Sequence, residues 1–249
     1  RLEPGLFERA ANQPNESTEP DRTHPIDEVS IQLLGRFSVS RGGQEVSLSS
    51  ARVSELVKVL AVRAGSAPID LVLDTLWPEV EPATGRRRLK NVLSRARAEL
   101  GDVLVRERDR IAFSSSVGID LSDFDLAARQ AVLLAQNDPS RAAEAGLRAL
   151  SLYLGELLPD DRYADWAELA RADIRARSLA LVDVVLADPA IVTTPETVAA
   201  VTEILLRIDP HDPERLRELA ARCTDAGNLA SASALRRLLE RADPWTTSR

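Results

Sequence analysis

The apolar positions of this chain follow two rhythms. From Val29 to Leu48 they alternate with polar residues in short runs: Val29, Ile31 and Leu33, then Phe37 and Val39, then Val46 and Leu48. A period of two marks half-buried strands, and Gly35 and the Gly42-Gly43 pair fall where turns are needed. The pattern predicts a small antiparallel sheet of about three short strands.

After Ser50 the spacing changes to that of helices. Val53, Leu56, Val57, Leu60 and Ala61 share one face of a helix that Ser50 can cap and Gly65 stops. A second helix is predicted from about Ile69 to Trp77, carrying Leu71, Leu73 and Leu76 and ended by Pro78. A third starts at Pro82–Thr84 and runs to Leu100, where Gly101 supplies the stop. Residues 102–114, "DVLVRERDRIAFS", alternate again and read as a hairpin.

Everything beyond Asp123 reads as helix, in segments 123–136, 139–154, 161–187, 195–208, 212–226 and 229–242. "IDP" at 208–210 and "ADP" at 242–244 lie 34 residues apart, the period of a two-helix tetratricopeptide-type repeat, with "AGN" at 226–228 as the turn between paired helices. Ala220, Ala221, Ala230, Ala232 and Ala234 allow the close helix approach of such a stack, and Cys223 reads as a small core residue. Residues 1–27 hold four prolines and no sustained period, and are expected to be a mostly disordered linker.

Charge adds information that hydrophobicity does not. The chain carries a formal net charge of −7. Yet residues 85–100, "GRRRLKNVLSRARAEL", hold five arginines and one lysine against a single glutamate. Residues 28–124 balance near neutrality with 14 basic and 13 acidic groups, whereas residues 125–249 hold 15 basic and 20 acidic groups. A positive patch on a negative body is the footprint of a polyanion-binding surface. A solvated face with arginines paired to Glu99, Asp102, Glu107 and Asp109 is the competing reading.

Wound at 100° per residue, the third helix puts Leu89, Val92, Leu93, Ala96 and Leu100 on one stripe. The opposite face carries Thr84, Arg87, Asn91, Ser94 and Arg95, with Arg88, Lys90 and Arg97 on its flanks. Arginine can grip guanine with two donors, asparagine can pair with adenine, and hydroxyls can reach phosphates. Three helices with a basic, polar-faced third, followed by a hairpin, make a winged helix-turn-helix. The hairpin tip "RERDR" sets Arg106, Arg108 and Arg110 where a wing would meet the DNA backbone. We therefore expect Arg87, Asn91, Ser94 and Arg95 to read bases. Thr84, Arg86, Arg88, Lys90, Arg97 and the hairpin arginines are expected to contact the backbone.

Other chemistry is sparse. His24 lies in the linker and His211 in a "DPHDP" turn, so a metal site there is not expected. There is no cysteine–histidine cluster, no G-x-x-x-x-G-K-[ST] loop and no G-x-S-x-G elbow. An enzyme is not expected, nor is a cofactor. Trp77 and Trp166 read as core anchors, with Trp245 packed on the last helix or exposed. One cysteine excludes an internal disulfide and fits a reducing cytoplasm. No apolar run approaches a membrane span of about 20 residues, and the first residues are unlike a signal peptide. The absence of methionine leads us to expect a fragment preceded by further chain.

The segment "LLGRFSV…LSSARVSELVKVLAVRAGSAPIDLVLDTLWPEVEPATGRRRLKNVLSRARAELG" resembles the winged-helix domain of the Streptomyces antibiotic regulatory protein (SARP) family. The shared features are the "LLG" strand, the "L.D.LWP" helix, the "PAT" helix start and the "SR.R..LG" helix end. The run "LYLGELLPDDRYADW", Leu152–Trp166, resembles the bacterial transcriptional activator domain that follows it. The likeness covers about residues 29–242, with departures at Ala96, where a large apolar residue is usual, and at "RIAF", where "GY.L" is common.

The resemblance implies an α+β, OmpR-like winged helix-turn-helix over residues 28–122, followed by an all-α tetratricopeptide-like activator domain over 123–245. It also implies a transcription regulator, typically an activator. Such a regulator would bind double-stranded promoter repeats as paired protomers, a homodimer on DNA, and contact RNA polymerase. Its helical domain would serve oligomerisation or a partner or effector response. Two alternatives stay open. One is a protein-interaction module whose winged helix no longer binds DNA. The other is a nucleotide receptor using the R-x-x-D pattern of Arg106–Asp109.

Overall fold

The computed structural model describes residues 28–210 and 212–242. The linker expectation for residues 1–27, including His24, lies outside them, as do His211 and Trp245. The chain opens with β1 (Val29–Gln32), β2 (Ser38–Arg41) and β3 (Gln44–Glu45), followed by α1 (Ala51–Val62), β4 (Ser66–Pro68), α2 (Ile69–Leu76) and α3 (Pro82–Leu100). A hairpin of β5 (Leu104–Glu107) and β6 (Arg110–Phe113) precedes β7 (Val117–Ile119). Helices complete the chain: α4 (Asp120–Leu134), α5 (Pro139–Leu152), α6 (Asp165–Leu186), α7 (Pro195–Ile208), α8 (Pro213–Asp225) and α9 (Leu229–Ala242).

The N-terminal sheet differs from the expectation of about three antiparallel strands. It has the order β3-β2-β1-β7, and β7 pairs with β1 in parallel, Val29 opposite Val117 and Ile31 opposite Ile119. The expected hairpin of β5 and β6 forms, but it gains a third strand that the sequence did not announce: β4 pairs with β6, giving the order β4-β6-β5. Both surprises have one cause. β4 and β7 are three residues each, "SAP" and "VGI", too short to establish any alternation.

The helical faces do follow the sequence. Val53, Leu56 and Leu60 of α1, Val72 and Leu76 of α2, and Leu89, Val92, Leu93 and Ala96 of α3 close one core with Ile111 of the hairpin and Trp77. Three helices around this core with an antiparallel hairpin beside them are consistent with a winged helix-turn-helix. Ser50 stands at the start of α1 without a side-chain cap bond, while the neighbouring Ser49 engages Glu99 of α3.

A second core runs through β1, β2, α4 and the later helices, and includes Phe124, Leu150, Val182 and, as expected, Cys223. The end of β1 is bound directly to the loop after α5. Leu158 N donates to Leu33 O at 2.9 Å, Gly35 N donates to Glu156 O at 2.9 Å, and Leu34 forms an isolated antiparallel bridge with Leu157. Asp120, the first residue of α4, receives N–H bonds from Leu33, Leu34 and Leu121 at 2.7–3.0 Å. Lys58 on α1 reaches across to Asp161 at 2.6 Å, its ammonium 4.6 Å from the centre of the Phe37 ring. The sheet and α1 are thus fixed to the helical region at several independent points. Among the described residues no helix is long and apolar enough to cross a membrane.

Candidate nucleic-acid interface

The start of α3 is built by its own sequence. Pro82 supplies the first helical residue, and the Glu81 side chain accepts from Thr84 N at 3.2 Å. Thr84 is therefore half-buried beside a capping carboxylate. The buried stripe Gly85, Leu89, Val92, Leu93, Ala96 and Leu100 fixes the helix's rotation against α1 and α2. That rotation leaves Arg87, Arg88, Asn91, Ser94 and Arg95 exposed on the opposite side.

These outward side chains have no partners among the described residues. Arg87, Arg88, Asn91, Ser94 and Arg95 make no hydrogen bond or ion pair among the described residues. The acids that the solvated-face reading requires are engaged elsewhere or stand apart. Glu99 bonds Ser49, and Asp102, Glu107 and Asp109 form no ion pair with any cation of α3. Elsewhere the chain pairs its arginines readily: seven of them, from Arg141 to Arg222, form ion pairs. On α3 and the hairpin only Arg86 pairs with another described residue, Asp70 at 2.9 Å. Both members of that pair are more than half exposed, so it contributes at most about 1 kcal/mol.

The remaining candidate residues divide into groups. Arg97 turns from the outward face to the hairpin, its Nε donating to Leu104 O at 3.1 Å. Arg110 turns back to β4, donating to Ser66 Oγ at 3.1 Å and Ser66 O at 3.4 Å. Arg106 and Lys90 are exposed and without a partner among the described residues, and both border a cleft between α3 and the hairpin. Arg108 stands at the hairpin tip. Glu107 pairs with Arg110, so Arg108 and Asp109 form a two-residue connection. Arg108 holds φ at 49°, a left-handed conformation at a position where such turns favour glycine. The tip itself is tied down, since Ile69 N donates to Asp109 O at 2.7 Å.

Sequence reading missed the supports of this surface. Ser66, which holds Arg110, lies in a strand too short to recognise. Ile69, which anchors the tip, reads from its pattern only as the first apolar residue of α2. No group of three or more histidine, cysteine or acidic residues among the described residues could hold a metal ion.

No family model and no curated protein matches the chain. Among solved structures, Mycobacterium tuberculosis EmbR in complex with a low-affinity phosphopeptide superposes with a TM-score of 0.61 at 17% sequence identity. The match covers 87% of this chain and 60% of that chain, so this sequence spans well under two thirds of the EmbR chain. The fold of the present chain, a small N-terminal sheet with helices and a hairpin followed by a helical region, is therefore EmbR-like.

Proposed function

We propose that this chain is a DNA-binding transcriptional regulator that reads a promoter through the outward face of α3. The observation that carries the reading is that face itself: exposed Arg87, Arg88, Asn91, Ser94 and Arg95, with no partner among the described residues. Unsatisfied guanidinium, amide and hydroxyl groups side by side match the donors and acceptors of a major groove, whereas a merely solvated helix has no use for the amide. In this reading Arg87, Asn91, Ser94 and Arg95 read bases. Thr84, Arg86, Arg88, Lys90, Arg97 and the hairpin residues Arg106, Arg108 and Arg110 serve the backbone. Arg108 adds support, because a residue kept in a strained conformation at an exposed tip is doing something other than stabilising the turn.

The winged helix occupies residues 28–122 and the activator-type module 123–245. The EmbR-like fold and the sequence resemblance together favour an activator in the cytoplasm that binds double-stranded promoter repeats as a homodimer and contacts RNA polymerase. The helical module serves assembly or partner response, and an apolar groove of about 560 Å³ between α7 and α9, floored by Val198, Leu206 and Leu235, suits that role. No cofactor is invoked.

The test is a two-stage binding experiment. A titration against random duplex DNA at several salt concentrations establishes binding, and selection from a random library yields a preferred site. Arg87→Ala or Asn91→Ala should then cost about 1–3 kcal/mol on the preferred site and much less on random DNA. Equal losses on both would remove α3 from the groove. No binding by the unaltered chain at low salt would favour the protein-interaction reading.

A further inference from the structure

α3 carries a second basic face, distinct from the outward one. Arg86, Lys90 and Arg97 follow one another at four- and seven-residue spacing and so form a row on the side turned to the hairpin. There they meet Arg106 of β5 across a cleft of about 210 Å³. The floor is apolar, formed by Ile69, Leu89 and Leu93, all buried.

The four cations are unequally committed. Arg86 is partly neutralised by Asp70 at 2.9 Å. Arg97 gives its Nε to Leu104 O, which leaves the other four donors of its guanidinium uncommitted. Lys90 and Arg106 make no bond among the described residues. Like charges gathered around an apolar floor repel each other, and among the described residues only Asp70, on Arg86, offsets them, an arrangement that an anion relieves.

Size restricts the choice. Pockets for drug-sized molecules run from about 300 to 1,000 Å³, and a water occupies about 30 Å³ of liquid. A cleft of about 210 Å³ therefore suits one tetrahedral anion with a few waters, and excludes a whole nucleotide. We infer that this cleft is a phosphate-binding subsite in which Lys90 and Arg97 of α3 and Arg106 of β5 hold a single phosphate group. Given the DNA-binding reading above, the phosphate is one backbone phosphodiester, gripped from helix and hairpin at once. Without DNA, the same chemistry would serve a free phosphate.

One phosphate shared by two elements has a quantitative signature. Each phosphate neutralised on duplex DNA contributes about 0.9 to the slope of log affinity against log salt. The full chain, with Lys90→Ala, Arg106→Ala and the double variant, is titrated against random duplex at several salt concentrations. In parallel, inorganic phosphate is added to the free protein while the arginine Nε–H resonances are followed by NMR. If the inference holds, the double variant lowers the slope by about 0.9 in total. The second substitution then adds little to the first.

A total loss of about 1.8 would mean two separate phosphates and overturn the shared subsite. Binding to DNA with an unchanged slope, but with saturable phosphate-induced shifts of Arg97 and Arg106 that Lys90→Ala abolishes, would identify a free phosphate as the ligand. The same shifts in a chain that binds no DNA would keep the subsite and reject the DNA reading. An unchanged slope together with no phosphate-induced shift would overturn the inference outright.

Discussion

At the scale of single residues, Arg108 separates stability from function. A left-handed conformation costs a side-chain-bearing residue about 1–2 kcal/mol, which glycine does not pay. Glycine in turn loses about 0.5–1 kcal/mol through the greater freedom of the unfolded chain. Arg108→Gly should therefore stabilise the fold by about 0.5–1 kcal/mol, read from the urea midpoint. The same substitution should weaken binding to all DNA sequences alike and lower the salt slope by about 0.9. A variant that gained stability without losing affinity would show that the guanidinium at the hairpin tip touches nothing. Asp120 is a second residue with a separable role. Burial, the largest influence, pushes its carboxyl above the ordinary value, although three backbone N–H groups pull the other way. The folded chain therefore takes up this proton at a higher pH than the unfolded chain does. Stability from this group should rise as pH falls through its folded value toward the ordinary carboxylate range, and the rise should be absent in Asp120→Asn. At neutral pH that variant should itself lose about 1–3 kcal/mol, because an amide N–H₂ would face a backbone N–H. Urea unfolding of both proteins across pH reads both effects.

Among the elements, amphipathic helices were legible and short or distant partnerships were not. The stripe from Leu89 to Leu100 announces the rotation of α3, and with it which arginines face outward, because a long helix repeats its signal several times. β4 and β7 repeat nothing, and Pro68 ends the first of them. Asp120 offers no local sign of its task either, since two of its N–H donors, on Leu33 and Leu34, lie 87 and 86 residues away. The same holds for Lys58 and Asp161, 103 residues apart. The candidate site was legible as a list of cations but not as an arrangement: the direction of Arg97 and Arg110 toward Leu104 and Ser66 depends on how the hairpin docks. The two segments that carried the resemblance, "LLG" and "LYLGELL", turn out to touch. Gly35, with φ at 83°, approaches so closely that a β-carbon there would stand 2.8 Å from Leu154 O, and one on Gly155 would stand 2.9 Å from Gly35 Cα. Gly35→Ala should cost about 2 kcal/mol or more, from the left-handed backbone plus the clash. The neighbouring Arg36→Ala, exposed, with a surface hydrogen bond to Gln32 at 3.1 Å and an ion pair to Glu45 at 3.8 Å, should cost at most about 0.5 kcal/mol and serves as the control.

For the whole molecule, the distribution of core residues determines how the chain unfolds. Ile31, Leu33, Leu34, Val39 and Ile119 of the N-terminal sheet belong to the same core as Phe124, Leu150, Leu157 and Val182 of the helical region. Leu48, Phe113 and Trp166 pack against both this core and the one around α1–α3. These shared side chains, with the Lys58–Asp161 pair beside them, connect α1–α3 to the helices behind, so a change in the helical region has a mechanical route to the orientation of α3. The full chain should accordingly unfold in one cooperative transition followed alike by Trp77 and Trp166 fluorescence, resolved by retaining one tryptophan at a time. A fragment of residues 28–122 would expose the face of β1 that Leu33 and Leu34 bury, and would strip the bonds to Leu157 and Leu158. Burying a leucine side chain is worth about 1.5–3 kcal/mol, so two leucines alone account for about 3–6 kcal/mol, a large share of the 5–15 kcal/mol that holds a typical domain together. The fragment should therefore be far less stable than the same residues within the full chain, with aggregation through the uncovered sheet. Equal urea midpoints for fragment and full chain would mean that the helical region merely leans on the sheet, and that no signal passes from it to α3 through packing.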